Sequence, residues 1–556
     1  MLVSATDSTV RFDSFLAALD ASEVLPIPFA PHLHYIPLVQ QEGHSVQPVI
    51  FGKAMDGARI FVRSCYTALW KLIQQQRDDY IDNKLVSGGA LITGNSGVGM
   101  SIFLAYVIKQ LRSLTKPPTI VYDSLAKNRC YIIRPGSSHV ESYQEPPFGM
   151  DRDRSIVYLV DVCTLARRPP SQCSAFTIVV AEPYAKGQNI LKGWKKYKYW
   201  PSARYLPCWN ESELEVYRRV TRPSADEQKK DQLKGTCLLP AMSSETVAQR
   251  FALFGGIARV ALARGSLSDL KAYLNGALGS CNLGTVTQYP GPDLERFPMD
   301  SSWIFHYKVN PDSFKLDSID FASKPILEQV WDRYSAKQVM HFIEATSWMS
   351  SVWNGVRWNL FQLLAHEHLQ KGGTFAAHKL LLVDSNNDQA QRVQDSKPST
   401  LTLPTSSSVR SVADAAAITH LTAGEYGQLS KANFKTIDAV IRPNCLFQTT
   451  VSESHTVNID ELIAAVNALQ LKPDEPVRFY FVVPPEQFAT FQAGTFTASD
   501  TSSSLTIANV PDTIEYWVLQ MIYPQAEPEL VISTSKRKDM ASSTSPPPSP
   551  KMSKTY

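Results

Sequence analysis

The residues with the clearest chemical potential lie in one short run, "LITGNSGVGMS", Leu91 to Ser101. Gly94 and Gly99 stand at the spacing of the phosphate-binding pattern G-x-x-x-x-G-K-[ST], with Asn95, Ser96, Gly97 and Val98 between them and Ser101 closing the run. Where the lysine belongs, the chain has Met100. Backbone N–H groups in such a turn, with a helix N-terminus behind them, cradle an anion without help from any side chain. The Ser101 hydroxyl is the kind of ligand a magnesium ion takes at this place. A lysine at position 100 would put positive charge on the β- and γ-phosphates, whereas methionine offers neither charge nor donor. The expectation is a loop that keeps an anion-binding shape but loses affinity and, still more, turnover.

Farther along, the apolar run Val157 to Val160 ends in Asp161. An acid at the carboxyl end of a strand, where α/β proteins bind ligands, has the form of a magnesium-orienting residue. Two plainer readings stand beside these. Buried strands often end in Asp, and turns of small residues between strand and helix are common. A third cluster, "LKGWKKYKYW", sets Lys192, Lys195, Lys196 and Lys198 among Trp194, Tyr197, Tyr199 and Trp200. Cations interleaved with aromatics suit phosphate contacts with base stacking, and equally a solvated helix face with aromatics packed beneath it. His366 and His368 flank Glu367, but i, i+2 residues of a helix point to different faces, so no zinc site is expected there.

The elements needed to position these residues can be read from pattern. "GALIT" reads as a buried strand and "SIFLAYVIKQL" as a helix, with "TIVYD", "CYIIR", "IVYLVDV" and "FTIVVAE" as further strands. Strands alternating with helices predict a parallel sheet with helices on both faces over residues 86–265. Residues 1–85 read as a proline-containing lead-in ending in a helix, and 266–339 as a helical and loop connector. A second α/β pattern covers 340–530, interrupted by a polar segment at 384–412 expected to be a mobile insertion. The Ser/Pro-rich basic tail 531–556 reads as disordered, and its "KRK" at 536–538 is at most a weak nuclear-import signal. No internal repeat is present.

Bulk properties bound the class. A chain of 556 residues with 44% hydrophobic and 19% charged residues is globular and of more than one domain. A formal charge of +3 makes no global demand for nucleic acid, so any basic surface must be local. The eight cysteines form no C-x-x-C pair, which favours reduced thiols and an intracellular place of work. The N-terminus, charged at Asp7, Arg11 and Asp13, does not read as a classical signal peptide, and no run is apolar enough to span a membrane.

Several stretches, in order, resemble one family. They are "LITGNSGVGMSIFLAYVIKQL", "IVYLVDV", "TIVVAEPYAKG…WKKYK", "YLPCWNESELEVYRRV" and "RFALFGGIARVALAR". Together they look like the P-loop ATPase domain of Crinkler and retrotransposon-hot-spot proteins, over roughly residues 45–265. "GGIAR", Gly255 to Arg259, is similar to that family's arginine motif, and "LPCWNESEL" to its proline–tryptophan–glutamate segment. The resemblance implies that Arg259 is a sensor-type arginine reaching toward phosphate, and that Trp209 and Glu213 belong to a helix start beside the site. Core packing for Trp209 and a surface ion pair for Arg259 are the plainer alternatives. Two departures are Met100 and Ala181-Glu182-Pro183, which stands where the family has a small polar pair before proline. The ubiquitin-like header with its translocation motif is not found in the sequence.

The resemblance also implies a second module, since "LFQLLAHEHLQKGG", "TIDAVIRPNCLFQTTVSESHTV" and "RFYFVVPPEQF" look like the restriction-endonuclease-like domain often joined to this ATPase. Such a site holds magnesium between an acid on one strand and a Glu or Gln on the next, with a lysine nearby. Here Asp438 takes the first place, Gln448 the second, Thr450 the lysine's, and Gln362 a helix position often acidic. That set holds magnesium poorly, so cleavage is doubtful. His455 is a candidate base, with a structural hydrogen-bonding role as its plainer alternative.

The resulting expectation is a P-loop NTPase-like unit followed by a restriction-endonuclease-like unit, both degenerate. Its catalytic-type residues are Asp161, Arg259, Asp438 and Gln448, and its metal ligands Ser101, Asp161 and Asp438. ATP and Mg²⁺ are the cofactors, a nucleotide and DNA or RNA the partners, and no membrane is involved. The expected role is nucleotide-regulated nucleic-acid binding inside a cell, the nucleus included, as an effector or mobile-element-linked protein. Two alternatives stay open: an active ATP hydrolase in which another lysine, such as Lys186, substitutes for the missing one, and a scaffold that uses both folds only as surfaces.

Overall fold

The computed structural model describes residues 7–38, 49–50, 53–54, 59–85, 88–124, 129–145, 149–150, 153–162, 174–181, 203–221, 242–263, 265–284, 302–348, 351–383, 391–395, 397–429, 436–472, 475–497 and 513–521. It is a mixed α/β protein. The chain opens with α1 (Asp7–Asp20), then β1 (Leu25–Ile27), β2 (Ala30–Pro37), the short pair β3 (Val49–Ile50) and β4 (Lys53–Ala54), β5 (Arg59–Val62) and α2 (Ser64–Ile81). β1, β2 and β5 form a small antiparallel sheet.

The first large sheet follows from apolar runs too continuous to leave either face wet. β6 (Gly89–Gly94), β10 (Val157–Val162) and β11 (Phe176–Ala181) are buried at every position. With β7 (Ile120–Ser124), β8 (Arg129–Ile133), β9 (Val140–Tyr143) and β12 (Arg204–Leu206), they stand in the order β12-β6-β11-β10-β7-β8-β9. The strands from β12 to β7 run parallel, and β8 and β9 extend the edge antiparallel. From β6 the chain passes through α3 (Met100–Arg112) toward the β7 side, whereas from β11 it goes to β12 on the other side of β6. Connections that diverge in this way open a crevice at the carboxyl ends of the strands, where open α/β sheets bind ligands.

One face of this sheet, carrying Ile92, Leu159, Ile178 and Val180, joins the main core with α1, α2 and α3. The other, carrying Leu91, Tyr158, Val160 and Val179, forms a separate cluster. Helices were expected on both faces; residues 163–173 and 182–200, which follow β10 and β11, lie outside the described residues. Phe12 of α1 stacks on Tyr131 at 4.7 Å. The Lys109 ammonium donates to the Leu19 carbonyl at 2.8 Å, so a cation of α3 satisfies the carbonyl end of α1.

The stretch expected as a helical and loop connector contains a helix, Leu267–Ser280, and also an antiparallel hairpin, β13 (Phe305–Val309) with β14 (Leu316–Phe321). The second large sheet comprises β15 (Gly373–Val383), β16 (Gln391–Gln394), β17 (Ser399–Leu403), β18 (Val409–Val412), β19 (Tyr426–Leu429), β20 (Ala439–Ile441), β21 (Cys445–Thr449), β22 (Ser454–Asn458), β23 (Val477–Val483), β24 (Gln492–Thr497) and β25 (Ile514–Gln520). Its order is β18-β19-β20-β21-β23-β25-β15-β16-β24-β22, with β17 also on β15. The supposed mobile insertion thus supplies three strands from residue 391 on. Its "STLTL" alternates half-buried or buried with exposed positions, so a polar composition hid a period of two.

The lead-in is fastened to the first sheet by a buried ion pair. Arg63, 1% exposed, meets Glu213 through Nε–Oε1 at 3.1 Å and a second nitrogen to Oε2 at 2.9 Å. It also donates to the carbonyls of Pro207 and Cys208 and lies 4.7 Å over the Trp209 ring. Removing one partner of such a pair strands the other charge in the core. Arg63→Met is therefore expected to cost about 3–5 kcal/mol in urea unfolding, and Arg63→Met with Glu213→Leu clearly less. A single variant losing under about 1 kcal/mol would show that the pair does not hold these segments together.

Candidate functional site

The run Gly94 to Ser101 sits at the carboxyl end of β6 and enters α3 with Gly99 as its left-handed cap (φ +105°). Its glycines answer to close approaches. A Cβ on Gly94 would lie 2.9 Å from the Leu206 carbonyl, one on Gly97 (φ +90°) 2.7 Å from Arg259 Cβ, and one on Gly99 2.5 Å from the Tyr66 hydroxyl.

Carbonyls of the turn are tied to surrounding protein. The Arg259 N–H donates to Gly97 O at 3.3 Å, Trp209 Nε1 to Val98 O at 2.8 Å, and the Tyr66 hydroxyl to Gly99 O at 2.8 Å. In a trans peptide the N–H points opposite its carbonyl. The N–H groups of Gly99 and Met100 are therefore turned away from Trp209 and Tyr66. Those at the first turn of α3 have no acceptor within their own helix, by helix geometry. Asn95, wholly buried, fixes the start of the turn: its Nδ2 donates to Phe305 O at 2.8 Å and its Oδ1 accepts from the Tyr307 N–H at 3.0 Å. Cys208 Sγ approaches the same oxygen at 3.4 Å.

Three of the five segments quoted for the family resemblance converge here. Trp209 N–H donates to Gly256 O at 2.9 Å, and a Cβ on Gly256 would fall 2.0 Å from the Trp209 carbonyl. Asn210 and Glu213 form a reciprocal helix start, Glu213 N–H to Asn210 Oδ1 at 2.8 Å and Asn210 N–H to Glu213 Oε2 at 3.2 Å. Arg259 donates from its guanidinium to the Ser96 hydroxyl at 3.0 Å. A cleft of about 60 Å³ opens beside this bond, lined by Ser96, Phe254, Ile257, Arg259, Ser302 and Trp303 among others. Nucleotide-sized pockets measure about 300–1,000 Å³, so the enclosed part takes a small group only.

Met100 is 8% exposed and belongs to the main core. Ser101 is half-buried at the start of α3. Asp161, buried at the carboxyl end of β10, lies level with Val180 and Ser124 of its neighbours and receives the Tyr122 hydroxyl at 3.4 Å. Magnesium on a nucleotide is held by one or two protein oxygens plus phosphates, and Ser101 with Asp161 is a donor set of that kind. Lys186, Lys192, Lys195, Lys196 and Lys198 lie outside the described residues.

In the second sheet the helix Asn354–Lys371 lays Gln362 against Asp438. Asp438 is buried, and its carboxylate accepts from Gln362 Nε2 at 2.9 Å and from the N–H and hydroxyl of Thr449 at 2.7 and 2.6 Å. Gln448 donates to Thr449 O at 3.2 Å, while its buried Oε1 has no hydrogen-bond partner among the described residues. The N–H of Thr450 is taken by Val482 O and its hydroxyl by the Ser452 N–H. Burial holds the His455 imidazole below its ordinary pKa, opposed by the Asp438 charge. One carboxylate already engaged by three donors does not suit a hard cation. Among the described residues no group of three or more His, Cys, Asp or Glu could hold a metal. His366 pairs through Nδ1 with the Tyr426 hydroxyl at 2.6 Å, and His368 with its own helix's Leu364 O at 2.9 Å, so the two histidines do face apart.

Comparison with known proteins gives a distant relation of the same kind. Over 466 residues the chain is 22% identical to Crinkler effector proteins 15 and 16 of Phytophthora infestans, an alignment covering 80% of this chain and 64% of each relative. The chain thus spans 64% of the length of the curated relatives it matches. No protein-family model matches it. Among the described residues no helix is long and apolar enough to cross a membrane.

Sequence reasoning missed two partners that fix the loop, Tyr66 and the β13 backbone, and the buried His306 on β13. His306, 5% exposed, lies beneath Gly255, whose Cβ would come 2.5 Å from its ring. Burial, with Lys308 adding to it, pushes its pKa down to about 3. An unfolded histidine titrates near 6.5. As pH falls below about 6.5 only the unfolded chain takes up this proton, so stability is lost down to pH about 3. Between pH 7 and 5 the loss from this group is about 2 kcal/mol. Urea unfolding of wild type and His306→Phe at the two pH values checks it: the variant is expected to lack that share of the slope, and equal slopes would refute the assignment.

Proposed function

We propose that the first sheet carries a P-loop-type nucleotide site that binds a nucleoside triphosphate with magnesium through backbone groups instead of a loop lysine, and that the chain is a nucleotide-responsive protein related to the Crinkler effectors. The observation that carries this reading is the pinning of the Val98 and Gly99 carbonyls by Trp209 and Tyr66, which turns the Gly99 and Met100 N–H groups the other way at the start of α3, while the Val98 N–H closes the turn on the Asn95 carbonyl. That arrangement needs no reorganisation to receive an anion. Arg259, resting on the Ser96 hydroxyl, supplies a positive charge at the loop, and a phosphate oxygen is a better acceptor for a guanidinium than a neutral hydroxyl. Ser101 and Asp161 would hold the metal on the phosphates. With no lysine to stabilise the transferring group, binding outlasts turnover.

In this reading the second sheet serves recognition and not cleavage. Asp438, Gln362 and Thr449 form a closed hydrogen-bonded set, and Thr450 stands where a lysine would be needed. Nucleic acid, with the Lys192–Lys198 cluster as a contact, is the partner this proposal assigns to the chain. The similarity to effectors supports an effector role.

Titration calorimetry with Mg·ATP tests the proposal on wild type, Met100→Lys and Arg259→Ala. Wild type is expected to bind in the micromolar range. Arg259→Ala is expected to bind about tenfold or more weakly, the worth of one charge-assisted contact. Binding by Met100→Lys alone would reduce the loop to a retained shape, and binding by neither protein would overturn the nucleotide reading.

A further inference from the structure

The cleft beside Ser96 and Arg259 has an aromatic wall that phosphate binding does not use. Trp303 lines it, half-buried, held edge-on by Phe254 with ring centroids 5.9 Å apart at 89°. Behind it Tyr273, on the helix Leu267–Ser280, lies nearly parallel to Trp303 at 6.2 Å and 22°. Tyr273 is 69% exposed, among the most exposed large hydrophobic side chains described. Trp303 packs by its edge contact on the main core, whereas Tyr273 holds a large apolar ring in water. Beside a loop and an arginine disposed for phosphate, the pair has the chemistry of a base platform.

From this juxtaposition we propose that Trp303, backed by Tyr273, is the stacking surface for the base of the nucleotide whose phosphates lie on the Gly94–Ser101 loop, and that the ligand class is the nucleoside triphosphates with little preference between adenine and guanine. The inference rests on the nucleotide reading above. The enclosed cleft is far too small for a base, so the base lies in its open mouth against the aromatic wall. Its described lining offers Ser96, Arg259 and Ser302 as polar side chains, the first two already paired with each other and placed for phosphate. Recognition by stacking is tolerant because every base presents a π-face. Discrimination between adenine and guanine requires edge hydrogen bonds, and the wall is made of rings.

Calorimetric titration of the full chain with Mg·ATP, Mg·GTP and magnesium tripolyphosphate separates the parts. Wild type is expected to bind ATP and GTP within a few-fold of each other, and both about tenfold or more tighter than tripolyphosphate, the value of one base–aromatic stack. Trp303→Leu is expected to bring ATP down to the tripolyphosphate level while tripolyphosphate affinity stays the same, which also shows that the variant is folded. Tyr273→Ala, altering an exposed ring, is expected to do the same in smaller measure, and Trp303→Phe to retain most of the difference. Tripolyphosphate binding as tightly as ATP, or an unchanged ATP advantage in Trp303→Leu, would overturn the stacking proposal and leave the phosphate site standing. Failure of all three ligands to bind would overturn both.

Discussion

The constraint on which the first half of the molecule depends is the fate of the carbonyl oxygens in the turn after β6. A tight turn at a helix start leaves polar backbone on both of its sides, and each side must find a partner or water. Here the carbonyl side is met from three directions. Tyr66 comes from the N-terminal region, Trp209 from the helix start after β12, and Arg259 from the segment after the paired glycines. Asn95 adds a fourth tie, bonding both a carbonyl and an N–H of β13. Because peptide units are planar, fixing the oxygens fixes the opposite N–H groups as well. Four distant pieces of chain thus determine the shape of one short turn.

This explains why glycine recurs around the turn. Gly97 and Gly256 lie where two backbones touch, Gly97 against Arg259 and Gly256 against Trp209, and any Cβ would push the partner off. It also gives Met100 a physical place. The side chain lies in the main core at the start of α3, where a thioether packs well and an ammonium would have to escape. A lysine at this position would have to carry its charge out of the apolar interior. A guanidinium does reach the loop, that of Arg259 on the Ser96 hydroxyl, held by the same network of ties.

Local pattern reached what local chemistry decides. β6, α3, β10 and β11 were legible because long apolar runs, a glycine turn and a terminal Asp are adjacent in sequence, whereas Trp209 and Glu213 were placed at a helix start only through the family resemblance. What could not be read are bonds between remote residues. Asn95 reaches Phe305 across 210 positions, and Arg63 reaches Glu213 across 150. No periodicity carries such information: an Asn between glycines looks like an ordinary turn residue. The strands at 391–412 were hidden for the opposite reason. Their serines and threonines suggested a solvated insertion, but on a half-exposed strand hydroxyl residues alternate with the buried ones that pair it to its neighbours.

The two sheets treat their buried acids differently, and the contrast bears on where chemistry can occur. Asp161 stands near the carboxyl end of a parallel strand and receives a tyrosine hydroxyl at 3.4 Å. Asp438 lies among short bonds, three donors within 2.9 Å drawn from a helix and a strand. A carboxylate so enclosed has its charge stabilised by fixed dipoles and gains little from a cation, while losing any one donor would leave it undercompensated in the core. Its function is to lock the helix Asn354–Lys371 onto β21. Rigidity of that kind fixes the shape of the second sheet, whereas Asp161 stands at the carboxyl ends of the parallel strands, the end of the first sheet at which the turn after β6 also lies.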